Sequence, residues 1–259
     1  MLRGLYTAWT GMRTESKRLD VIANNVANSA TVGYKGEGVT NQSFDDCLGI
    51  RVRDKNSPVG TTRMIGKMYL GTKIGEVYTN FTQGSVRQTG NSFDMALDGK
   101  GFFEVNVTDV NGVNHLRYTR AGDFHMTSEG YITDLNGNRL QCEGGDLMVD
   151  IDGGEVTIDK DGSVFQNGEL VDVIRIVDFE DYNYLKKFAD TYLEPMEGYK
   201  YKDVAEAQLM QGYLENSNIN VVSEMVNMIS ITRAYEAGQK VIQAYDSTMD
   251  QAANSIGKV

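Results

Sequence analysis

The feature that most constrains this chain is a seven-residue apolar stripe carried at both of its ends. From the N-terminus, Leu2, Leu5, Trp9, Met12, Ser16, Leu19, Ala23 and Val26 fall at alternating spacings of three and four, the a/d register of a heptad helix. The spacing predicts one helix of about 26 residues, about 39 Å long at 1.5 Å per residue. Gly4 and Gly11 interrupt it. Each lowers intrinsic helicity by ~1 kcal/mol relative to Ala, so the isolated segment is a poor helix and its order depends on a partner.

The partner candidate lies at the other end, where Val221, Met228, Tyr235, Ile242, Met249 and Ile256 recur every seven residues. The positions between them are Glu224, Ile231, Gly238, Tyr245 and Ala252, mostly apolar or small. Asn220 is placed to cap this helix, and Glu224 puts a carboxylate near the positive end of its dipole. No proline follows Pro195, so the helix is free to run unbroken to about residue 256. Between 221 and 231 the residues Val221, Val222, Met225, Val226, Met228, Ile229 and Ile231 cover more than one face. A helix apolar beyond a single stripe needs neighbours on more than one side. Several copies packed in a tube supply them, and Ala234, Ala237, Gly238, Ala244, Ala252 and Ala253 permit close approach. An intramolecular helical hairpin capping one domain is the plainer alternative.

Between the ends the period changes to two. Phe103, Val105 and Val107 alternate with Glu104 and Asn106, and Leu116 with Tyr118 resumes the pattern after Asn111-Gly112. Turn signals then recur at Glu129-Gly130, Asn136-Gly137, Asp152-Gly153-Gly154, Asp159-Lys160-Asp161-Gly162 and Asn167-Gly168, which argues for antiparallel hairpins. The expected fold is therefore α+β, with the terminal helices paired as a coiled-coil-like stalk and a central antiparallel all-β domain. The boundaries expected are a helix and Asn-rich motif over 1–35, an extended connector over 36–90, the β domain over 91–180, a return connector over 181–219 and the second helix over 220–259.

Charge follows the same partition. Of a net −11, residues 1–35 carry +3, 36–90 carry +2, 91–219 carry −15 and 220–259 carry −1. Near-neutral ends suit close packing against copies, whereas the acidic middle reads as a solvated outer domain. No basic, aromatic-laced stripe points to nucleic acid, and no run approaches the ~20 apolar residues of a membrane span. The first residues lack the apolar core of a cleaved signal peptide, so any export is expected by another route.

Chemistry-bearing residues are sparse. Cys47 and Cys142 stand alone in the sequence, and His115 and His125 have no cysteine at ligand spacing, so neither thiol framework nor metal site is expected. Asp159 to Ser163 begins like a calcium loop, but Val164 and Leu170 occupy the positions that need Gly and Glu. Asp150 with Asp152, or Asp159 with Asp161, could be paired carboxylates for glycoside hydrolysis; in predicted turns of an acidic chain they read as solvated turn residues. Gly99-Lys100-Gly101 lacks the third glycine and following helix of a phosphate loop. With no nucleophile motif either, the chain is not expected to be an enzyme, and no cofactor or small-molecule substrate is expected.

Three blocks then carry a resemblance. Residues 24–35, Asn-Asn-Val-Ala-Asn-Ser-Ala-Thr-Val-Gly-Tyr-Lys, resemble the signature that ends the N-terminal helix of bacterial flagellar rod and hook axial proteins, with Asn25, Asn28, Thr31, Gly33, Tyr34 and Lys35 as its motif residues. Gly212 to Val226, continued by Arg233-Ala234-Tyr235-Glu236, is similar to that family's second signature. Thr89 to Leu97, Gly101-Phe102-Phe103 and Tyr118-Thr119-Arg120-Ala121-Gly122 resemble the β domain of its longer members. Val32 departs from a frequent Pro, which touches local stiffness only. The resemblance implies a non-catalytic axial subunit, exported unfolded by the flagellar type III apparatus and polymerised helically around a channel. Its partners would be copies of itself, neighbouring rod and hook proteins and rod-surrounding rings. One β domain in 259 residues resembles the distal-rod members most and the proximal-rod members next. A trimeric coiled-coil fibre protein and an acidic β hydrolase are the rival classes. The resemblance also gives the stripes a role. Leu2, Leu5, Trp9, Met12, Leu19 and Val26, with Val221, Met228, Ile231, Tyr235, Ile242, Tyr245, Met249 and Ile256, become the expected assembly interface, and the Asn-rich motif becomes a helix cap and turn.

Overall fold

The computed structural model describes residues 2–50, 64–108, 112–202 and 207–256. The side chains of Leu2 and Ile256, and residue Asn111, lie outside the described set. The chain divides into two compact units, a helical unit of residues 1–26, 37–78 and 221–259 and a β unit of residues 27–36 and 79–220.

In the helical unit, helix α1 spans Leu2–Ala27, matching the length of the first stripe. Four strands follow: β1 (Glu37–Ser43), β2 (Cys47–Ile50), β3 (Met64–Met68) and β4 (Thr72–Thr79). β2 pairs antiparallel with β3 inside the β1–β4 pair. The Phe44 amide donates to the Gly71 carbonyl at 3.0 Å and bridges the two ladders into one nested ribbon. Within 36–90, expected as an extended connector, the described residues 37–50 and 64–79 thus form a two-stranded arm. Threonines on one face of α1 grip it. Thr7 Oγ1 is within donating distance of the carbonyls of Arg3 at 3.0 Å and Leu70 at 3.2 Å, and Thr14 Oγ1 of those of Thr10 at 2.9 Å and Thr72 at 3.4 Å. Helix α2 spans Val221–Gln251 and ends in a π-helical turn over Ala252–Ile256. Asn220 stands immediately before it, where the sequence put the cap.

The β unit begins with β5 (Val86–Gln88), β6 (Met95–Asp98), β7 (Phe102–Thr108), β8 (Asn114–Thr119), β9 (His125–Met126), β10 (Ile132–Thr133), β11 (Arg139–Cys142) and β12 (Gly145–Asp146). It continues through β13 (Val156–Ile158), β14 (Ser163–Gln166), β15 (Glu169–Val173), β16 (Ile176–Phe179), β17 (Leu185–Phe188), β18 (Tyr192–Pro195), β19 (Tyr201–Lys202), β20 (Gln208–Gln211) and β21 (Tyr213–Glu215). The main sheet runs β17-β18-β8-β7-β11-β10-β9, with β12 on β11, and β16 on β7 and β19. β13, β14 and β15 form a separate antiparallel meander. The turn signals sit where the chain reverses: Gly130, Gly137, Gly154, Gly162 and Gly168 all have φ between 80° and 87°, a backbone that glycine adopts without a Cβ clash.

Two cores flank the sheet. Phe103, Val105, Leu140, Phe124, Ile132, Leu147 and Val164 fill the first; Phe102, Tyr118, Val177, Phe179, Leu185 and Leu193 fill the second. Period-two alternation in β7 places Phe103 and Val105 in the first core and Phe102 in the second. The opposite face is nonetheless closed to solvent, and Glu104 is buried with it. The reason is the stretch expected as a return connector over 181–219. Its β17–β18 hairpin pairs with β8, its β20 with β6 and its β21 with β5, burying Leu185, Leu193, Leu209 and Leu214. These strands are too short and too interrupted by charge for alternation to reveal.

Candidate functional site

Two arrangements stand out, one in each unit. On α2 and its π-helical turn the partly buried positions are Val221, Glu224, Met228, Gly238, Ile242, Tyr245, Met249 and Ala252, with Ile231 fully buried. They reproduce the heptad register; Tyr235, in the same register, is just exposed. On α1, Leu5, Met12, Leu19 and Val26 are half-buried, while Ser16 and Ala23 are exposed. Trp9 is 47% exposed, lying edge-on to Tyr6 and under the Arg13 guanidinium, 5.6 Å from its ring centre.

The helices meet at glycines. A Cβ at Gly4 would overlap the Tyr245 ring, and one at Gly238 would lie 2.6 Å from Met12 Cγ. Residues 4 and 12 thus meet 245 and 238 in reversed order, an antiparallel contact. Gly4 weakens the helix intrinsically, yet a side chain there would have to displace the Tyr245 ring. Gly11 has nothing within 4 Å.

Beyond that seam, Val222, Met225, Val226 and Ile229 are exposed on α2. Their spacing of three, four and seven puts them on one face, distinct from the half-buried register. The single chain thus leaves a four-residue apolar strip open to water at the start of a long helix.

In the β unit the three sequence blocks converge on one carboxylate. Glu215 Oε1 accepts from Lys35 Nζ at 2.5 Å and from the Gly84 amide at 2.8 Å; Oε2 accepts from Arg120 Nη1 at 3.2 Å. Its backbone carbonyl accepts the Gly33 amide at 2.8 Å. Lys35 also donates to the Thr82 carbonyl at 2.9 Å, and Arg120 Nη2 to the Gly99 carbonyl at 2.6 Å. The Gly99–Gly101 turn therefore offers a carbonyl to an arginine, the reverse of a phosphate cradle. All three charged side chains are buried. Burial pushes the Lys35 ammonium below its ordinary pKa; Glu215 opposes that shift and Arg120 adds to it.

The rest of the Asn-rich motif has bonds of its own. Asn25 exchanges two hydrogen bonds with the backbone of Glu37, at 2.8 and 3.0 Å. The Thr31 amide and hydroxyl donate to the Asn28 carbonyl and Oδ1 at 3.2 and 3.1 Å, closing a turn. Gly33, at φ 65°, lies so close to the Ala121 backbone that no side chain fits. Tyr34 is fully buried, with Lys187 Nζ 3.6 Å above its ring and donating to the Lys35 carbonyl at 3.2 Å. Asn218 accepts from the Gly36 amide at 2.9 Å and donates to the carbonyls of Asn80 and Thr82. Sequence reasoning quoted Arg120, Glu215 and Asn218 without a role. Nothing in the spacing marked Glu215 or Lys187, because the strands that carry them were not legible in the sequence.

The other candidates have local duties. Asp150 Oδ1 accepts the Asp152 amide at 3.2 Å, and the Asp159 carbonyl the Gly162 amide at 3.0 Å. His125 Nε2 lies 3.3 Å from Thr133 Oγ1. Cys47 is exposed, and Cys142 is buried with its thiol pushed up to about 12 by desolvation. Among the described residues no helix is long and apolar enough to cross a membrane.

Comparison with known proteins agrees with this geometry. The family described as flagella basal body rod protein matches residues 5–35, the flagellar hook protein FlgE/F/G D1 domain matches 96–166, and the flagellar basal body rod FlgEFG protein C-terminal family matches 210–256. The flagellar hook-basal body complex protein FlhO of Bacillus subtilis is 32% identical over 278 residues, covering all of both chains. The flagellar basal-body rod protein FlgF of Caulobacter vibrioides is 33% identical over 260 residues, again covering all of both. The flagellar basal-body rod protein FlgG of Bacillus subtilis is 29% identical over 272 residues, covering 98% of this chain and 99% of its own. With identity of this order running end to end, the chain belongs to the family of bacterial flagellar basal-body rod and hook proteins, which are structural proteins and not enzymes.

Proposed function

We propose that this chain is a structural subunit of the flagellar rod that polymerises helically through its terminal helices and takes its place in the distal rod. The carrying observation is the state of α2, a 31-residue helix with one buried residue and an exposed apolar strip at Val222, Met225, Val226 and Ile229. A helix so constituted is completed by neighbours, and family membership supplies them as copies of itself and adjoining rod and hook axial proteins. The α1–α2 contact at Gly4 and Gly238 extends, in this reading, into a coiled-coil-like stalk, with Leu2, Leu5, Trp9, Met12, Leu19 and Val26 on one side. On the other stand Val221, Met228, Ile231, Tyr235, Ile242, Tyr245, Met249 and Ile256. The acidic stretch 91–219 forms the outer layer toward rod-surrounding rings. The flagellar type III export apparatus delivers the chain, and the helices order on incorporation, where their stripes are covered.

A single β unit in 259 residues supports the distal position. A proximal position is the second reading, since relatives bearing two different rod-protein names match the chain about equally, at 33% and 29% identity. Electron microscopy of basal bodies from a strain lacking this chain separates them. A rod stub without distal rod or hook is the expected result; loss of everything beyond the export base moves the subunit to the proximal rod, and normal basal bodies overturn the rod reading.

A further inference from the structure

We propose that the Lys35–Glu215–Arg120 cluster is a clamp that joins the two helix roots, residues 28–36 and 216–220, into one cooperative unit. The roots are the segments by which the chain leaves α1 and enters α2, and both lie in the β unit. The clamp holds them to each other directly: the Gly33 amide on the Glu215 carbonyl at 2.8 Å, and the Gly36 amide on Asn218 Oδ1 at 2.9 Å. Both also share the 80–84 segment, through Lys35 on the Thr82 carbonyl, Glu215 on the Gly84 amide and Asn218 on the carbonyls of Asn80 and Thr82.

Glu215 is the centre because one buried carboxylate answers two buried cations from segments 180 and 95 residues away in sequence. A lone buried charge is costly, so neither Lys35 nor Arg120 rests comfortably until the return strand β21 arrives with Glu215. Docking of the N-terminal root is therefore conditional on docking of the C-terminal one. The consequence rests on the rod reading: two helices that must order together at an assembly site start from a common base, and the long loop between them is already closed.

The test is hydrogen exchange on the purified full-length monomer, which does not require polymerisation. A negative result therefore counts against the clamp alone, while normal basal bodies in the deletion strain would count against the rod reading alone. Glu215→Gln strands two cations, and exchange should rise about a hundredfold or more in 28–36 and 216–220 together, with 95–98 and 102–108 unchanged. Wild-type protection in either root overturns the clamp. If Glu215→Gln also exposes the core, Lys35→Met decides. It alters only the N-terminal root, so the clamp requires 216–220 to loosen as well, and loosening confined to 28–36 overturns it.

Discussion

The exposed strip on α2 allows a quantitative experiment. Val222, Met225, Val226 and Ile229 are 72%, 49%, 61% and 54% exposed, together a little more than two whole apolar side chains still in water. At roughly 1.5–3 kcal/mol per fully buried side chain, covering the strip contributes about 3.5–7 kcal/mol per subunit. Association itself costs about 4–15 kcal/mol, so the strip is decisive without being sufficient, and the seam with other neighbours makes up the rest. Changing Val226 and Ile229 together to Ser removes about half of the strip's gain, about 1.7–3.5 kcal/mol, which raises the critical concentration for polymer by about 15- to 300-fold. Changing both to Asp should abolish polymer, because each charge would be buried without a partner. Sedimentation of purified subunit across a concentration series gives the critical concentration, and basal-body microscopy gives rod length in cells. Thermal unfolding of the monomer serves as control and should move little, since neither side chain is buried in the single chain. Full-length rods built by the Asp pair would refute the assignment of this face.

Further predictions follow from particular contacts. Gly4→Val strengthens α1 intrinsically yet collides with Tyr245; it should block rod assembly, and adding Tyr245→Ala should restore it, as scored by motility. Ile242→Asp should block assembly while near-UV circular dichroism of the β unit stays unchanged. Lys187→Met removes the cation over Tyr34 and its bond to the Lys35 carbonyl. Thermal denaturation should report a loss of about 1–2 kcal/mol. Cys142 has a folded pKa near 12 against an ordinary 9.0. Because the folded value is raised, its contribution is intact below pH 9 and is lost as pH rises through about 12. Cys142→Ala should therefore flatten the decline in urea-measured stability that begins near pH 9.

How far the sequence was readable depended on the range of the interactions. Helix α1 and the half-buried register of α2 follow from heptad spacing because a helix face is a local property. The hairpin turns follow from glycines whose positive φ is equally local. The strands β17 to β21 were missed because Leu185-Lys186-Lys187-Phe188 and Gln208-Leu209-Met210-Gln211 are short, and the partners that tie β18 and β20 into the fold lie tens of residues to more than a hundred residues away. The ribbon was missed because its Thr- and Gly-bearing strands carry no period-two alternation of apolar and polar residues. For the same reason the motif at 24–35 could be read as a cap and turn, whereas the ion cluster could not. What makes Lys35 matter is a carboxylate 180 residues on, and spacing holds no record of it.

The threonine grip between α1 and the ribbon has a mechanical meaning. A hydroxyl has a single proton, so Thr7 and Thr14 serve either their own helix carbonyl or the ribbon's, one at a time. Were the arm to part from α1, each proton would still have its helix carbonyl, so no donor would be stranded. A seam of shared donors is therefore cheaper to open than one of dedicated bonds, in which every parted donor loses its partner.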